Sequence, residues 1–516
     1  MTTRRSFLSS TLAVAGAGLL PPRLLRAASN LKFASSPFTL GVASGCPTSD
    51  SVVLWTRLAP SPMEPGGGMP QEVVAVQWEV ATDDKMKSIV RRDTEYATPE
   101  WAHSVHVEPV DLEPGRDYWY RFIAGGARSP IGHTRTAPAL DVTPSRLRVA
   151  VANCQNYEQG YFTAYRHMLA DDLDFIVHVG DYIYEDTGGH NIVRHHGAPT
   201  TLTLDDYRIR HALYRSDPDL QAAHAGVPWL MTWDDHEVAN DYAGDVSQFD
   251  DEPDLFRARR ACAYRAYYEH MPLPRYTVPF GPDMRLYMER ASGQLATFFM
   301  LDQRQYRSPE ACPLPGRRGG HHAAHCAEFD DPKRTMLGAR QELWLQGRLA
   351  ASKAQWNVLA QGTLMAYCNE VAPPGQQFWT DSWDGYPAAR ERLIGFLAER
   401  KIANPVVLSG DIHSFVVSKL NAKPDDPGSP VVASEFTATS ITSEPPPEDR
   451  LKKASELNPS ILLMTGLHRG YPRLEFTRER LKTDLIVVED VKKPGAGRGV
   501  LASYVVEAGK PGPVKA

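Results

Sequence analysis

Four short apolar runs, each followed at once by side chains that bind metals, constrain the fold of this chain most. The runs span residues 147–152, 175–179, 229–232 and 405–408, and their length and composition are typical of buried strands. The segments after them read Asn-Cys-Gln-Asn, Gly-Asp-Tyr-Ile-Tyr, Asp-Asp-His-Glu and Gly-Asp-Ile-His. In an open α/β sheet, ligands bind beyond the carboxyl ends of the strands. The pattern therefore predicts a metal centre built for hydrolysis at these strand ends.

The candidate donors fall into two chemically different groups. The hard donors are carboxylates, which suit calcium, magnesium or manganese: Asp181, Asp235 and Asp411. The others are a thiolate, a phenolate and an imidazole: Cys154, Tyr184 and His413. Thiolate together with phenolate favours a more acidic transition metal, with ferric iron as the natural candidate. We expect two half-sites with Asp181 bridging them, an arrangement that can clamp a phosphoryl group and lower the pKa of a bound water.

Each candidate donor also has a simpler interpretation. A lone cysteine is more often a buried thiol, and an aspartate after a strand is often a helix cap. The tyrosine and the histidine could be packed in the core. Because all of these side chains follow four strand-like runs, their joint occurrence favours the metal centre.

The chain divides into regions of different pattern. Residues 38–138 are predicted to be all-β, and the turn followed by alternating aromatics at 112–122 is typical of immunoglobulin-like and fibronectin III sandwiches. From residue 146 to 490, strands alternate with helical stretches and then give way to strands, which predicts an α/β (α+β) sandwich. Residues 491–516 are expected to form a C-terminal strand and tail, frayed from Gly509.

The first 29 residues are typical of a twin-arginine signal peptide. Arg4 and Arg5 precede an apolar run at 12–20, and small residues at 27–29 suit cleavage. The run is too short for a membrane anchor, although a chance Arg-Arg pair is the alternative. We expect the twin-arginine machinery to export the folded protein to a periplasm or beyond the cell. In such a compartment Cys312 and Cys326, which flank a Pro/Gly/His-rich loop, either pair as a disulfide or stay free.

The order of the motifs also carries a resemblance to a known family. Gly-Asp-x-x-Tyr, Asp-Asp-His-Glu and Gly-Asp-x-His resemble the calcineurin-like metallophosphoesterases. Purple acid phosphatases have Asn-His-Glu and His-x-His where this chain has residues 235–237 and 411–413. Those substitutions and Cys154 make the chain similar to the alkaline phosphatase D (PhoD) family, and the similarity extends over residues 38–490. Cys46 departs from that family, which usually has Asp there.

The resemblance implies a metallophosphoesterase sandwich behind the N-terminal immunoglobulin/fibronectin III-like domain, with Fe3+ and Ca2+ as cofactors. By position, the residues implied for iron are Cys154, Asp181, Tyr184 and His413. Those implied for calcium are Asp181, Asp235 and Asp411, with Asp234 close by and Asn240 and Gln361 as weaker candidates. The implied enzyme is an alkaline phosphatase and phosphodiesterase in which a metal-activated hydroxide attacks phosphorus.

Further residues are assigned hypothetical roles in that reaction. His236 would stabilise the transition state or protonate the leaving group. Arg304 or Arg307 would contact the phosphate bidentately, with Arg166 a weaker candidate and structural ion pairing the alternative. We expect small-molecule phosphate esters as substrates and a monomeric protein. A net charge of −6 argues against stable nucleic-acid binding.

Two other functions stay open at this point. One is a phosphodiesterase or phospholipase D that acts on lipid or teichoic-acid-like diesters, because metals recognise the phosphoryl group rather than the leaving group. The other is an exported binding or adhesion protein with an inactive metal site. Residues 187–200 and 468–471 are expected to cover the site and to decide which substrates enter.

Overall fold

The computed structural model describes residues 31–516. The predicted signal peptide, residues 1–29, therefore lies outside the described residues. Within the described part of the chain, no helix is both long and apolar enough to cross a bilayer.

The described elements are mostly short strands. In chain order the strands are β1 (Val42–Gly45), β2 (Val53–Arg57), β3 (Val74–Ala81), β4 (Ile89–Ala97), β5 (Ser104–Val107), β6 (Asp117–Ala124), β7 (Ala127–Arg128), β8 (Gly132–Arg135), β9 (Leu147–Ala152), β10 (Phe175–His178), β11 (Trp229–Met231), β12 (Met288–Ser292), β13 (Ala296–Met300), β14 (His322–Ala323), β15 (Trp356–Ala360), β16 (Phe378–Trp379), β17 (Pro405–Ser409), β18 (Phe415–Asn421), β19 (Val431–Thr437), β20 (Ile461–Thr465), β21 (Arg469–Phe476), β22 (Arg480–Val488), β23 (Arg498–Glu507) and β24 (Lys510–Lys515). The α-helices are α1 (Thr163–Leu169), α2 (Leu204–Arg215), α3 (Pro218–Gly226), α4 (Pro253–His270), α5 (Gly338–Ala351), α6 (Pro387–Glu399) and α7 (Glu448–Leu457). Short 3-10 helices lie at Pro65–Gly68, Pro99–Trp101, Arg275–Thr277, Ala327–Asp330 and Trp383–Gly385.

Two large sheets face each other in this structure. One has ten strands in the order β24-β23-β22-β21-β9-β10-β11-β1-β2-β5, and the other has seven in the order β12-β13-β15-β17-β19-β18-β20. Strands β9, β10 and β11 run parallel, as do β13, β15, β17 and β19. Phe175 and Phe298 meet edge to face between the sheets, with ring centroids 5.0 Å apart. The carboxyl ends of parallel strands from both sheets can therefore contribute to one site.

Helices cover the outer faces of both sheets, as expected for an α/β sandwich. Apolar residues of α1, α3 and α4 join the core of the ten-stranded sheet, while those of α5, α6 and α7 pack on the seven-stranded sheet. The four apolar runs of the sequence became β9, β10, β11 and β17, each within one residue of its predicted end. Every residue of these strands except Arg148 is buried, which explains why the strands are mostly apolar rather than alternating.

The all-β character of residues 38–138 is present, although this region is less separate than expected. Strands β3, β4, β6, β7 and β8 form their own sheet, whereas β1, β2 and β5 belong to the ten-stranded sheet. The junction is short: Gly45 pairs with Trp229, and the Cys46 N–H donates to the Trp229 carbonyl oxygen at 2.9 Å. The two sheets share an apolar core. The likeness of residues 38–138 to an immunoglobulin or fibronectin III domain stays a prediction.

The prediction of a frayed C-terminal tail was wrong. Residues 510–515 form β24, which pairs with β23 across a turn at Gly509. The Gly512 N–H also donates to Ser434 Oγ at 3.0 Å, so the strand is held from a second side. Backbone pairing satisfies the N–H and C=O groups of a strand whatever its side chains are. Amino-acid composition alone therefore does not reveal such a strand.

The Pro/Gly/His-rich loop lies within residues 308–333, which are mostly irregular and are closed by a disulfide. Cys312 and Cys326 are bonded, which decides between the two alternatives left open by the sequence. The loop contains only β14 and one 3-10 turn. Residues 187–200 contain no helix or strand, as expected.

Candidate metal centre

The candidate donors come together where the two sheets meet. Cys154 follows β9, Asp181 follows β10 and Asp235 follows β11, all from the ten-stranded sheet. Asp411 and His413 follow β17 of the facing sheet. The site therefore lies beyond the carboxyl ends of parallel strands, as the sequence pattern predicted.

The first cluster contains Cys154, Asp181 and His413, whose ligand atoms lie within 4.8 Å of one another. The Tyr184 hydroxyl joins it, at 3.1 Å from Asp181 Oδ2 and 3.2 Å from His413 Nε2. His413 Nδ1 is 2.6 Å from the Glu444 carbonyl oxygen, to which it donates a proton. Nε2 is then the unprotonated nitrogen and faces the cluster, as a metal-binding histidine requires.

The second cluster contains Asp181, Asp235 and His236, again with ligand atoms within 4.8 Å of one another. Asp181 belongs to both clusters, which is the bridging position expected from the sequence. Asp411 is outside both groups, although its Oδ2 accepts a hydrogen bond from Thr363 Oγ1 at 2.8 Å. The Cys154 thiol points at the Asp411 carbonyl oxygen from 3.8 Å, so Asp411 borders the first cluster.

The carboxylates of the site carry more negative charge than the nearby cationic side chains neutralise. Burial raises the pKa of Asp181 well above its ordinary value; His236 lowers it, but Asp235 and Asp234 add to the rise. Burial, then Asp234 and Asp381, likewise raise the pKa of Asp411. Asp181 Oδ1 and Asp234 Oδ2 are buried without any hydrogen-bond partner. Buried carboxylates of this kind normally pair with a cation or bind a metal, so the donor set fits metal ions.

The softer donors have the same electrostatic character. Burial, together with Asp181 and Asp411, raises the pKa of the Cys154 thiol. Burial, with Asp181 and Cys154, raises the pKa of the Tyr184 hydroxyl. Only a strongly positive neighbour would keep thiolate and phenolate ionised there, which is a further reason to place a metal of high charge in the first cluster.

Backbone strain marks the same residues. Cys154, Asp181, Asp411 and His413 have φ of 51°, 58°, 67° and 52°, in the left-handed region. Side chains with a Cβ rarely adopt this conformation, and it persists where the surrounding structure enforces it, often at functional sites. Part of that enforcement comes from Glu237, whose carboxylate accepts backbone N–H groups of the two site loops.

Glu237 ties the loop after β10 to the loop after β11. Its Oε2 accepts from the N–H groups of Asp181 at 3.1 Å and Asp234 at 3.0 Å, and its Oε1 accepts from Tyr182 at 2.6 Å. The sequence analysis gave this residue no role. A glutamate three residues after Asp234 is the spacing of a capping box, so a signal for the second contact was present.

Gly180 is needed because the two site loops touch there. It has φ of 124°, and a Cβ at this position would lie 2.4 Å from Asp234 Cβ. We predict that Gly180→Ala lowers the free energy of unfolding by about 3 kcal/mol or more and displaces Asp234. Gly188→Ala is the matched control, because its φ of 94° is also positive and its Cβ would meet nothing within 4 Å. Denaturant unfolding should separate the two variants; equal losses would show that φ alone matters.

Arg304 and Arg307 do not face a substrate in this structure. Both side chains are fully buried. Arg304 Nε is 2.5 Å from Asp234 Oδ1, and its Nη atoms lie 2.6 and 2.8 Å from the Asp381 carboxylate. Arg307 pairs with Asp381 and with Glu310. The alternative weighed for these arginines, structural ion pairing, fits this placement, and the expected phosphate contact does not.

The weaker candidates are Arg166 for the phosphate and Gln361 and Asn240 for calcium, and their contacts are as follows. Arg166 lies on an exposed surface and pairs with Asp219 at 3.0 Å. Gln361 is fully buried, and its amide is used by Trp383 Nε1 at 2.9 Å and Ser409 Oγ at 2.7 Å. Asn240 donates its backbone N–H to Glu185 Oε1 at 2.7 Å.

His236 is a candidate whose side chain remains partly exposed. Its Nδ1 is 2.6 Å from Glu185 Oε2, and its ring lies 4.1 Å from that of Tyr184. Its side chain is 18% exposed, against 2% for Glu185. Burial opposes a charge on the imidazole, but Glu185, Asp235 and Asp181 outweigh it and raise the pKa of His236. The ring is thus anchored through Nδ1 and partly exposed.

A cavity of about 240 Å³ opens beside Asp411 and His413. Much of its wall is apolar, from residues that include Leu364, Ile412, Leu451 and Met464. Segment 468–471, expected to cover the site, does come close. Thr439 Oγ1 lies 2.9 Å from the His468 carbonyl oxygen and 3.2 Å from that of His413.

Comparison with known proteins identifies the family of this chain. Residues 149–485 match the family model described as PhoD-like phosphatase, and residues 25–138 match that of its N-terminal domain. Alkaline phosphatase D of Bacillus subtilis (strain 168) is 46% identical over 491 residues, which cover 93% of this chain and 82% of that protein.

Solved structures give the same result. A structure of PhoD superposes with a TM-score of 0.90 at 45% identity and covers 94% of this chain and 93% of that one. Purple acid phosphatase PPD1 from yellow lupin seeds has a TM-score of 0.53 at 14% identity, covering 90% of this chain and 73% of that one. The second match shows a shared fold alone.

Proposed function

Because this chain belongs to the PhoD-like phosphatase family of phosphoric ester hydrolases, we propose that it hydrolyses phosphate monoesters and diesters at the two-cluster centre. The observation that carries the proposal is the position of Asp181, which contributes a ligand atom to both clusters. Two adjacent cation sites with a shared carboxylate suit phosphoryl transfer, in which charge must be neutralised on both sides of phosphorus.

We assign Fe3+ to the first cluster, and Ca2+ to the carboxylates of the second cluster together with the neighbouring Asp234 and Asp411. The residues that would hold iron are Cys154, Asp181, Tyr184 and His413. Those that would hold calcium are Asp181, Asp234, Asp235 and Asp411, with Asn240 the least supported because its described contact is through the backbone. When bound, such ions supply positive charge for the phosphoryl oxygens and lower the pKa of the attacking water.

The protein groups of the site have separate tasks in this reaction. His236, with Nδ1 held by Glu185 at 2.6 Å, presents its other nitrogen to the reacting groups and protonates the leaving alkoxide. Arg304 acts indirectly, by positioning two carboxylates. Its Nε lies 2.5 Å from Asp234 Oδ1, and its Nη2 lies 3.5 Å from Asp235 Oδ2. We therefore assign Arg304 and Arg307 to positioning rather than to phosphate binding.

Export completes the proposal. The twin-arginine pattern in residues 1–29 supports delivery of a folded, metal-loaded enzyme to the periplasm or the medium. The disulfide between Cys312 and Cys326 is consistent with an oxidising compartment. We expect the exported enzyme to act as a monomer on small phosphate esters.

One experiment tests the proposed function and its substrate range. We expect the metal-loaded, exported protein to hydrolyse both p-nitrophenyl phosphate and bis-p-nitrophenyl phosphate with calcium present. Faster monoester cleavage would support a phosphate-scavenging alkaline phosphatase. A metal-replete protein that cleaves neither compound would contradict the proposal and favour a binding or adhesion role.

A phosphodiesterase or phospholipase D activity on lipid or teichoic-acid-like diesters is the second candidate. The apolar wall beside His413, from residues such as Leu364 and Met464, favours it because an apolar alcohol group would fit there. Dominant cleavage of the diester in the same assay would support this candidate over the first.

A further inference from the structure

The cavity beside Asp411 and His413 adjoins the metal centre without reaching the residue assigned as proton donor. Its volume is about 240 Å³. Asp411 and His413 both line it, whereas His236 lies outside its wall. A group bonded to phosphorus could therefore enter this cavity at the metal ligands while another group lies beside His236.

The wall of this cavity is apolar on several elements. Leu451 and Ala454 belong to α7, Met464 belongs to β20, and Leu364 follows β15. Leu364, Leu451 and Ala454 are at most 4% exposed. Leu364 and Ala454 also belong to the core of the seven-stranded sheet, and Met464 packs against it. Core packing therefore fixes the wall, as in a binding pocket that is formed before its ligand arrives.

The charged side chains of the wall are already bound to other groups of the protein. Glu370 accepts from Arg450 Nε at 2.9 Å and Nη2 at 2.8 Å. Asp384 accepts from Arg390 Nη1 at 2.5 Å and from the Cys368 N–H at 3.0 Å. A sugar or nucleoside would have to compete for these bonds or bury its hydroxyls against apolar surface, which is costly. The wall therefore suits an uncharged, apolar group.

Hydrogen bonds connect the apolar wall to the metal centre. The Glu444 carbonyl oxygen, just before α7, accepts from His413 Nδ1 at 2.6 Å. Glu448, in the first turn of α7, accepts from Thr465 Oγ1 and from the Gly466 N–H, both at 2.8 Å. Helix α7 and the end of β20 are thus held together next to a candidate metal ligand.

We propose that this cavity binds the retained alcohol group of a phosphodiester, and that this group is a short, uncharged alkyl or aryl chain. The inference rests on the proposed function. In that reaction the oxygen of water bonds to phosphorus, the bond to the leaving alcohol breaks, and His236 supplies the proton that this alcohol takes. The other ester bond stays intact. Because the two alcohol groups leave phosphorus in different directions, only one of them can lie beside His236.

The volume of the cavity limits the length of the retained chain. A water molecule occupies about 30 Å³ in the liquid, so the cavity has room for about eight groups of that size. Each methylene that moves from water to an apolar wall should improve binding by about threefold. The preference for longer chains should therefore rise up to about eight carbons and then level off.

Diesters that share one leaving group test this proposal without any variant. We expect kcat/KM of the metal-loaded protein to rise by about thirtyfold from methyl to butyl p-nitrophenyl phosphate. The decyl ester should gain little over the octyl ester. Monoesters have no retained alcohol, so methyl phosphate and butyl phosphate should have similar kcat/KM values. A chain-length preference in the monoesters but not in the diesters would place the leaving alcohol in the cavity and overturn the proposal.

Met464→Trp should narrow the cavity and remove most of the preference for the butyl over the methyl diester. Leu462→Trp is the matched control, because Leu462 lies on the same strand, is 37% exposed and is outside the wall of the cavity. The same preference in wild type and in Met464→Trp would contradict the assignment of this wall to the retained group.

Failure of the proposed function would give a different result. A metal-loaded protein that hydrolyses none of these esters would contradict the phosphatase reaction, and binding then tests the cavity. Titration calorimetry should give a Kd about thirtyfold lower for dibutyl phosphate than for dimethyl phosphate. Equal Kd values for the two diesters would show that the cavity does not bind an apolar ester group.

Discussion

Asp181→Asn is expected to lower the turnover of p-nitrophenyl phosphate by about a thousandfold or more, which corresponds to about 4 kcal/mol of transition-state stabilisation. Asp181 contributes to both clusters, so one neutral amide would weaken both cation sites at once. Asparagine keeps the size of the side chain and tolerates the left-handed backbone, φ 58°, as well as aspartate does. Its N–H can still donate to Glu237, so the local fold should persist.

Metal content and turnover should be measured together for this variant. We expect both iron and calcium to fall below one ion per protein while the far-ultraviolet circular dichroism spectrum is unchanged. Asp84→Asn is the matched control, since Asp84 is an exposed aspartate of the N-terminal region. Full metal content with normal turnover in Asp181→Asn would refute the bridging role.

Cys154→Ala is expected to remove iron and to lower activity by a similar factor, but to leave the calcium side largely loaded. Cys154 belongs to the first cluster alone, and it is the only thiol there among the described residues. Its backbone N–H, which donates to the Gly180 carbonyl oxygen at 3.2 Å, is unaffected by the change. Alanine bears the same left-handed strain as cysteine, so the stability change should be small.

Elemental analysis of iron and calcium separates this outcome from that of Asp181→Asn. Cys262→Ala is the control, because Cys262 lies on α4 and takes part in neither cluster. Retained iron and full turnover in Cys154→Ala would contradict the assignment of the Cys154 thiolate as an iron ligand. Loss of both metals would instead show that the two clusters load cooperatively.

Much of the fold followed from local sequence patterns. The four apolar runs predicted β9, β10, β11 and β17 within one residue, because strand length and full burial leave a strong signal. Helix α4, Pro253–His270, lies in the region where strands were expected to alternate with helices. Strand β24 was missed because its residues, 510–515, lack the apolar pattern of a strand. Backbone pairing with β23 holds it in place.

The candidate site was predictable in its donors but not in its support. Strand ends bring Cys154, Asp181 and His413 together wherever parallel strands converge, so their grouping could be expected. The arginines could not be assigned in the same way. Arg304 meets Asp234 and Asp381 across 70 and 77 residues of sequence, and nothing near Arg304 in the chain reveals those partners.

The sequence by itself determined which chemical groups stand at the strand ends, and thus the metal-binding character and the family resemblance. Both depend on residue type and on spacings of a few residues, which are local properties. The tertiary structure alone decided that Arg304 is a buried support for Asp234 and that β1, β2 and β5 extend the ten-stranded sheet. Those features depend on how distant segments pack, and each buried charge acquires its role only from the partners that packing brings to it.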